Sequence, residues 1–108
     1  MTIIQLDNGD SVELPSADDL LDEFSLPDEL RKKVRVGLVE LLEAMKSATD
    51  MNLNGFKRDL NNMRDDLKRL QAITDDRIRH PEIADVDIKQ PLFILGLPRC
   101  GTSLLHAL

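Results

Sequence analysis

Hydrophobic positions change rhythm along the chain, and each rhythm predicts a different element. From Ile3 to Leu14 the sequence reads IIQLDNGDSVEL. Its apolar residues alternate in part on either side of Asn8-Gly9, a dipeptide suited to the positive φ angles of a type I′ turn, so a small β-hairpin is expected over residues 3–14. Two strands alone are marginal, and the hairpin needs another element to lie against. Ser16 then offers an N-cap with Asp18 and Asp19 in the first turn, where a helix dipole favours acids. Leu20, Leu21 and Phe24 form the apolar side of that short helix, which closes near Ser25-Leu26. Pro27 suits the start of a second helix, in which Leu30, Val34, Leu38, Leu41, Leu42 and Met45 recur at steps of three and four.

A polar break, Thr49 to Gly55, precedes Phe56, Leu60, Met63, Leu67 and Leu70 in 4-3-4-3 spacing, with Ile73 and Ile78 extending the apolar face. This predicts a long amphipathic helix to about Arg79, stopped by His80-Pro81. Two such helices with a short link pack as an antiparallel αα-hairpin. The heptad-like stretch is too short for a coiled coil.

The rhythm ends in an acidic connector, residues 81–90, and a continuous apolar run, Leu92-Phe93-Ile94-Leu95. Apolar residues at consecutive positions predict a strand buried on both faces. It stops at Gly96, bends through Leu97-Pro98-Arg99-Cys100-Gly101-Thr102-Ser103, and re-enters as a helix. A strand, a small-residue loop and a helix start bring free backbone N–H groups to one point and make an anion site. The expected fold is mainly α over residues 1–90, followed over residues 91–108 by the first strand–loop–helix of an α/β sheet.

The loop has Walker A spacing from Gly96 to Gly101-Thr102-Ser103, but Thr102 stands where the lysine belongs. In a nucleoside-triphosphatase that lysine reaches the β- and γ-phosphates. Here the cation is Arg99, inside the loop, which suits a clamp on triphosphate and Mg²⁺ poorly.

Composition narrows the classes. The chain has 108 residues, 31% charged and 42% hydrophobic, with no Trp or Tyr and three Phe. Base stacking has almost nothing to work with, and a net charge of −6 argues against binding a phosphate backbone. The acids are uneven: residues 1–30 carry nine Asp or Glu and no Lys or Arg, which reads as a solvated acidic segment. The cluster Arg31, Lys32, Lys33 and Arg35 reads as a solvated helix face near those acids rather than as an anion patch. No apolar run approaches the roughly 20 residues of a membrane span. A single cysteine and an N-terminus without a secretory pattern predict a cytoplasmic chain. Two histidines and one cysteine give no metal-ligand spacing, so no metal is expected.

The run PLFILGLPRCGTSLLHAL resembles the 5′-phosphosulfate-binding loop of sulfotransferases that use 3′-phosphoadenosine-5′-phosphosulfate. It is closest to the bacterial-type branch, whose loop reads roughly G-L-P-R-S/T-G-T-T/S-L-L-H. The upstream RIRHPEI and the link to PLFILG resemble that branch more loosely, and the likeness fades before about Pro27. The resemblance implies a P-loop α/β fold and transfer of a sulfonate group to a hydroxyl or amine of a small acceptor. It implies that Arg99 contacts the phosphosulfate and favours charge on the leaving phosphate. Gly101, Thr102 and Ser103 would bind the 5′-phosphate, with Cys100 contributing its backbone N–H, and Gly96 and Pro98 would shape the turn. Cys100 stands where the family commonly has Ser or Thr, and a small loop residue is its expected role. His106 is expected to pack or hydrogen-bond rather than act as the base.

The resemblance places the 3′-phosphate contacts, the acceptor side and the general base beyond Leu108. The chain then reads as the N-terminal portion of a larger enzyme, inert by itself. Two other readings are open: a helical interaction module with a vestigial loop, and an atypical nucleotide kinase or nucleoside-triphosphatase.

Overall fold

The structure, a computed structural model, describes residues 1–108. Strands β1 (Thr2–Gln5) and β2 (Ser11–Leu14) pair antiparallel, with Ile4 opposite Val12 and Thr2 opposite Leu14. Ile4, Leu6, Val12 and Leu14 are buried, while Ile3 and Glu13 face solvent. The connection differs from the expected two-residue type I′ turn. Gly9 has φ +90°, and Asn8 is not in the positive-φ region that such a turn requires of both residues. Gly9 N–H donates to the Leu6 carbonyl at 3.0 Å and Leu6 N–H to the Asp10 carbonyl at 2.8 Å. This is the longer hairpin loop in which a turn is followed by a left-handed glycine. The Asn8 carboxamide oxygen fixes it by accepting from Asp10 N–H at 3.0 Å.

Helix α1 (Ala17–Asp22) begins at Ser16 with a reciprocal cap. Asp19 N–H donates to Ser16 Oγ, and Ser16 N–H donates to Asp19 Oδ2, each at 3.1 Å. Helix α2 (Asp28–Ser47) follows Pro27. Helix α3 (Leu53–Arg79) is capped by Asn52, whose side-chain oxygen accepts from Gly55 N–H at 2.8 Å. His80 and Pro81 end it, and a 3-10 turn over Pro81–Asp85 follows.

α2 and α3 lie antiparallel: Met45 adjoins Asn62 and Met63, whereas Val34 and Leu38 adjoin Leu67 and Leu70. The hairpin and α1 close over one end, giving a single core of Ile4, Leu6, Val12, Leu14, Ala17, Leu20, Leu21, Leu38, Leu42, Met45, Phe56, Leu60, Met63 and Leu67. Phe56, Leu14, Leu20 and Leu21 are fully enclosed. Asp7 N–H donates to the Thr49 carbonyl at 2.9 Å and ties the hairpin loop to the α2–α3 link.

The acidic N-terminal segment is more than a solvated stretch. Asp18 takes a paired hydrogen bond from Arg35 at 3.0 and 3.1 Å, Asp22 accepts from Arg31 at 2.7 Å, and Glu23 accepts from Arg64 at 3.1 and 3.3 Å. The basic residues of α2 and α3 thus lash α1 to the helical hairpin. Ile73 and Ile78, expected on the apolar face, are exposed. At 1.5 Å per residue, α3 runs about 40 Å and α2 about 30 Å, so the end of α3 overhangs its partner.

The expected strand over Leu92–Leu95 does not form. Residues 86–97 carry no helix, turn or strand pairing. A strand exists through hydrogen bonds to a neighbour, and the only sheet in this chain is the two-stranded hairpin. Helix α4 (Thr102–Ala107) follows the loop as expected. Leu92, Phe93, Leu95 and Leu97 lie open to solvent, and no residue beyond Leu67 belongs to the core.

Candidate anion-binding site

The loop folds locally even without a sheet behind it. Pro98 and Arg99 occupy the corner of a turn, with Arg99 at φ +66°. Proline before a positive-φ residue is the pattern of a type II turn, whose second corner favours glycine. Arginine there stores local strain, about 1–2 kcal/mol for a residue with a Cβ in the left-handed region. Gly101 follows at φ +89°, accessible to glycine without that cost, and starts α4 as its N-cap.

Two consequences bear on chemistry. The chain doubles back on Gly96 so closely that a Cβ there would collide with Cys100 Sγ and lie 2.8 Å from Thr102 Cγ2. Only glycine fits this bend without moving the Cys100 or Thr102 side chain, so Gly96, Cys100 and Thr102 lie against one another. The second consequence is a row of unused donors. The N–H groups of Gly101, Thr102, Ser103 and Leu104 make no hydrogen bond within the chain, and the first α4 bond is Leu105 N–H to the Gly101 carbonyl at 3.0 Å.

Arg99, Gly101, Thr102, Ser103 and Leu104 line an open concavity of about 350 Å³. Arg99 enters none of the ion pairs of the chain, and the Thr102 and Ser103 hydroxyls are unbonded. A second concavity, about 340 Å³, joins Thr102 and Ser103 to Ile94 and His106. Of the sequence-predicted residues, Arg99, Gly101, Thr102 and Ser103 line the first concavity, whereas Gly96 and Cys100 line neither and Pro98 stands at the turn. Leu104 and Ile94 also line the site. Leu104 was legible only as the fourth free N–H of a helix start, and Ile94 only as the end of the apolar run.

The other groups considered in the sequence give no comparable constellation. His80 Nδ1 lies 3.2 Å from Glu82 Oε1 at the end of α3. No cluster of three His, Cys, Asp or Glu side chains is placed to hold a metal ion. No helix is long and apolar enough to cross a membrane.

Three groups with displaced titration lie at α1 and its contact with α2. The Arg35 guanidinium hydrogen-bonded to Asp18 holds its carboxyl below the usual value of 3.8, and Asp18 in turn raises Arg35. Hydrogen bonds from the Ser16 backbone and hydroxyl hold Asp19 below 3.8. All three are structural contacts of the α1 latch and cap.

No protein-family model, no curated protein and no solved structure matches this chain.

Proposed function

We propose that Pro91–Leu108 is the 5′-phosphosulfate loop of a sulfotransferase that moves a sulfonate group from 3′-phosphoadenosine-5′-phosphosulfate to the hydroxyl or amine of a small acceptor. The observation that carries this reading is the cradle itself. Gly96 is bent against Cys100 and Thr102, four adjacent N–H groups are free, and the loop's one cation is Arg99 rather than a Walker lysine. These residues suit an anionic phosphosulfate: a Cβ would fill the bend, and Arg99 and the residues that carry the free donors line one open concavity.

In this reading Gly101, Thr102, Ser103 and Leu104 donate backbone hydrogen bonds to the 5′-phosphate, and the Thr102 and Ser103 hydroxyls add to them. Arg99 stabilises negative charge on the phosphate oxygen as it leaves the sulfur. Donors already aimed at developing charge lower the barrier more than they stabilise the ground state. The bound donor supplies the electrophilic sulfonate, which the acceptor attacks in line. The loop residues are assigned to the 5′ end of the donor, and none of them is proposed as the general base or as the acceptor site.

Calorimetric titration with 3′,5′-adenosine bisphosphate and, separately, ATP–Mg²⁺ tests the reading. The bisphosphate is expected to bind, and Arg99→Ala to weaken it roughly tenfold or more, the worth of one charged hydrogen bond. Tight ATP–Mg²⁺ binding without the bisphosphate would favour a nucleotide kinase or nucleoside-triphosphatase instead. One observation favours the interaction-module reading: the whole core lies between Ile4 and Leu67, so the helical body holds together without the loop.

A further inference from the structure

The link between α2 and α3 carries a sulfur atom outside the anion loop. Met51 stands one residue before Asn52, the N-cap of α3. Its side chain lies across Gly55. A Cβ at Gly55 would come within 2.8 Å of Met51 Cγ and 3.1 Å of Met51 Sδ, with the Asn52 carboxamide oxygen 3.5 Å away. That oxygen accepts from Gly55 N–H at 2.8 Å, and the Asn52 carbonyl accepts from Phe56 N–H at 3.2 Å. The thioether therefore covers the first turn of α3 beside its cap, next to the fully enclosed Phe56.

The same link joins three elements. Met51 N–H donates to the Ala48 carbonyl at 3.1 Å, just past the end of α2. The Thr49 carbonyl accepts from Asp7 N–H of the hairpin loop at 2.9 Å. Met51 packs against the core together with Ala48 and Leu53.

Accessibility separates Met51 from the other methionines. Met1 is 77% exposed and outside the core, whereas Met45 and Met63 lie within it at 5% and 7%. Met51 alone is half-buried, open to a small oxidant and in contact with the packed interior. Oxidation turns a flexible apolar methionine into a polar sulfoxide. Gly55 N–H and Phe56 N–H are already engaged by Asn52, so a new acceptor at this place displaces a bond or leaves the contact.

We propose that Met51 is a peroxide-sensitive modification site at which sulfoxide formation loosens the cap of α3. A lone pair of the thioether sulfur attacks one oxygen of hydrogen peroxide. The S–O bond forms as the O–O bond breaks, and the proton on the transferred oxygen passes to the departing hydroxide, which leaves as water. Sulfur is oxidised and the peroxide is reduced. The proposal does not rest on sulfonate transfer, and its test uses no nucleotide.

Dilute hydrogen peroxide applied to the folded chain, followed by peptide mass spectrometry, is the first measurement. Met1 and Met51 are each expected to gain one oxygen about tenfold or more faster than Met45 and Met63, which need local opening. A thiol reductant then returns any sulfenic acid at the exposed Cys100 to thiol and leaves the sulfoxides in place. The oxidised chain is expected to unfold at a lower urea midpoint, and its Gly55 amide to exchange hydrogen about tenfold or more faster. Methionine sulfoxide reductase is expected to restore both. Met51→Leu keeps an apolar contact and is expected to make the midpoint indifferent to peroxide although Met1 still oxidises. If that variant fails to fold, the measurements on the native chain decide the matter. Three results would overturn the proposal: Met45 or Met63 oxidised as fast as Met51; complete Met51 sulfoxide with the midpoint and Gly55 exchange unmoved; or a folded Met51→Leu chain that loses as much midpoint in peroxide as the native one.

Discussion

Ser16 and Asp18 hold α1 in place by different means, and each supports its own prediction. Ser16 satisfies an orphan N–H of the first turn, and Asp19 returns the bond. Ser16→Ala removes the hydroxyl that accepts from Asp19 N–H while leaving the backbone N–H that donates to the Asp19 carboxylate, and is expected to cost about 1 kcal/mol, read as a lower urea midpoint at unchanged slope. Asp18 and Asp19 are both held below their ordinary value of 3.8. A carboxyl with a depressed folded value binds protons more readily when unfolded, so its contribution is present above 3.8 and is lost as pH falls through and below it. Stability of the native chain is therefore expected to drop in acid below about pH 4, and Asp18→Asn to flatten that drop, by urea unfolding at a series of pH values. At the loop, Gly96→Ala is expected to weaken binding of the bisphosphate without moving the unfolding midpoint, since Gly96 lies outside the core. Adding Cys100→Ala and Thr102→Ser removes the two atoms that the new methyl group meets and is expected to relieve part of the loss.

Among the elements, the helices were legible because their signals are local. The 4-3-4 spacing of Phe56, Leu60, Met63 and Leu67 matches the buried face of α3, and His80-Pro81 ends that helix in sequence as in space. The hairpin was legible from its alternation, but its loop type was not. Asn8-Gly9 is compatible with several turns, and the choice rests on hydrogen bonds from Leu6 and Gly9 that only the paired strands fix. The latch was missed because Asp18–Arg35 and Glu23–Arg64 join residues far apart in sequence, whose proximity depends on how α1 packs. The strand at Leu92–Leu95 was read from apolar content, yet strand formation needs a neighbour and none lies beside it. In the candidate site, the residue types and the bend at Gly96 follow the sequence pattern. The positive φ of Arg99 does not follow from it, because arginine carries no preference for that region. Phe56 is where α3 depends most on one side chain. It is completely enclosed, and Phe56→Ala is expected to cost about 3–5 kcal/mol and to broaden or abolish the cooperative thermal transition.

The molecule as a whole is a packed helical body with an extended C-terminal arm. Its radius of gyration is 18.2 Å, against about 13 Å for a compact domain of about 100 residues. The excess comes from the overhang of α3 and from residues 86–108, which add nothing to the core. Removing the arm after Asp85 is expected to leave the urea midpoint unchanged. A fall in midpoint would mean that the arm packs on its own body. The anion loop therefore rides on an arm that the body does not brace, and its cradle depends on its own turn chemistry. The most direct test of the central claim is a ¹H–¹⁵N correlation spectrum followed during titration with 3′,5′-adenosine bisphosphate. The account predicts that the amides of Gly101, Thr102, Ser103 and Leu104 move first and furthest, and that Arg99→Ala suppresses the change. Shifts confined to the helical body, or a response to ATP–Mg²⁺ with none to the bisphosphate, would contradict it.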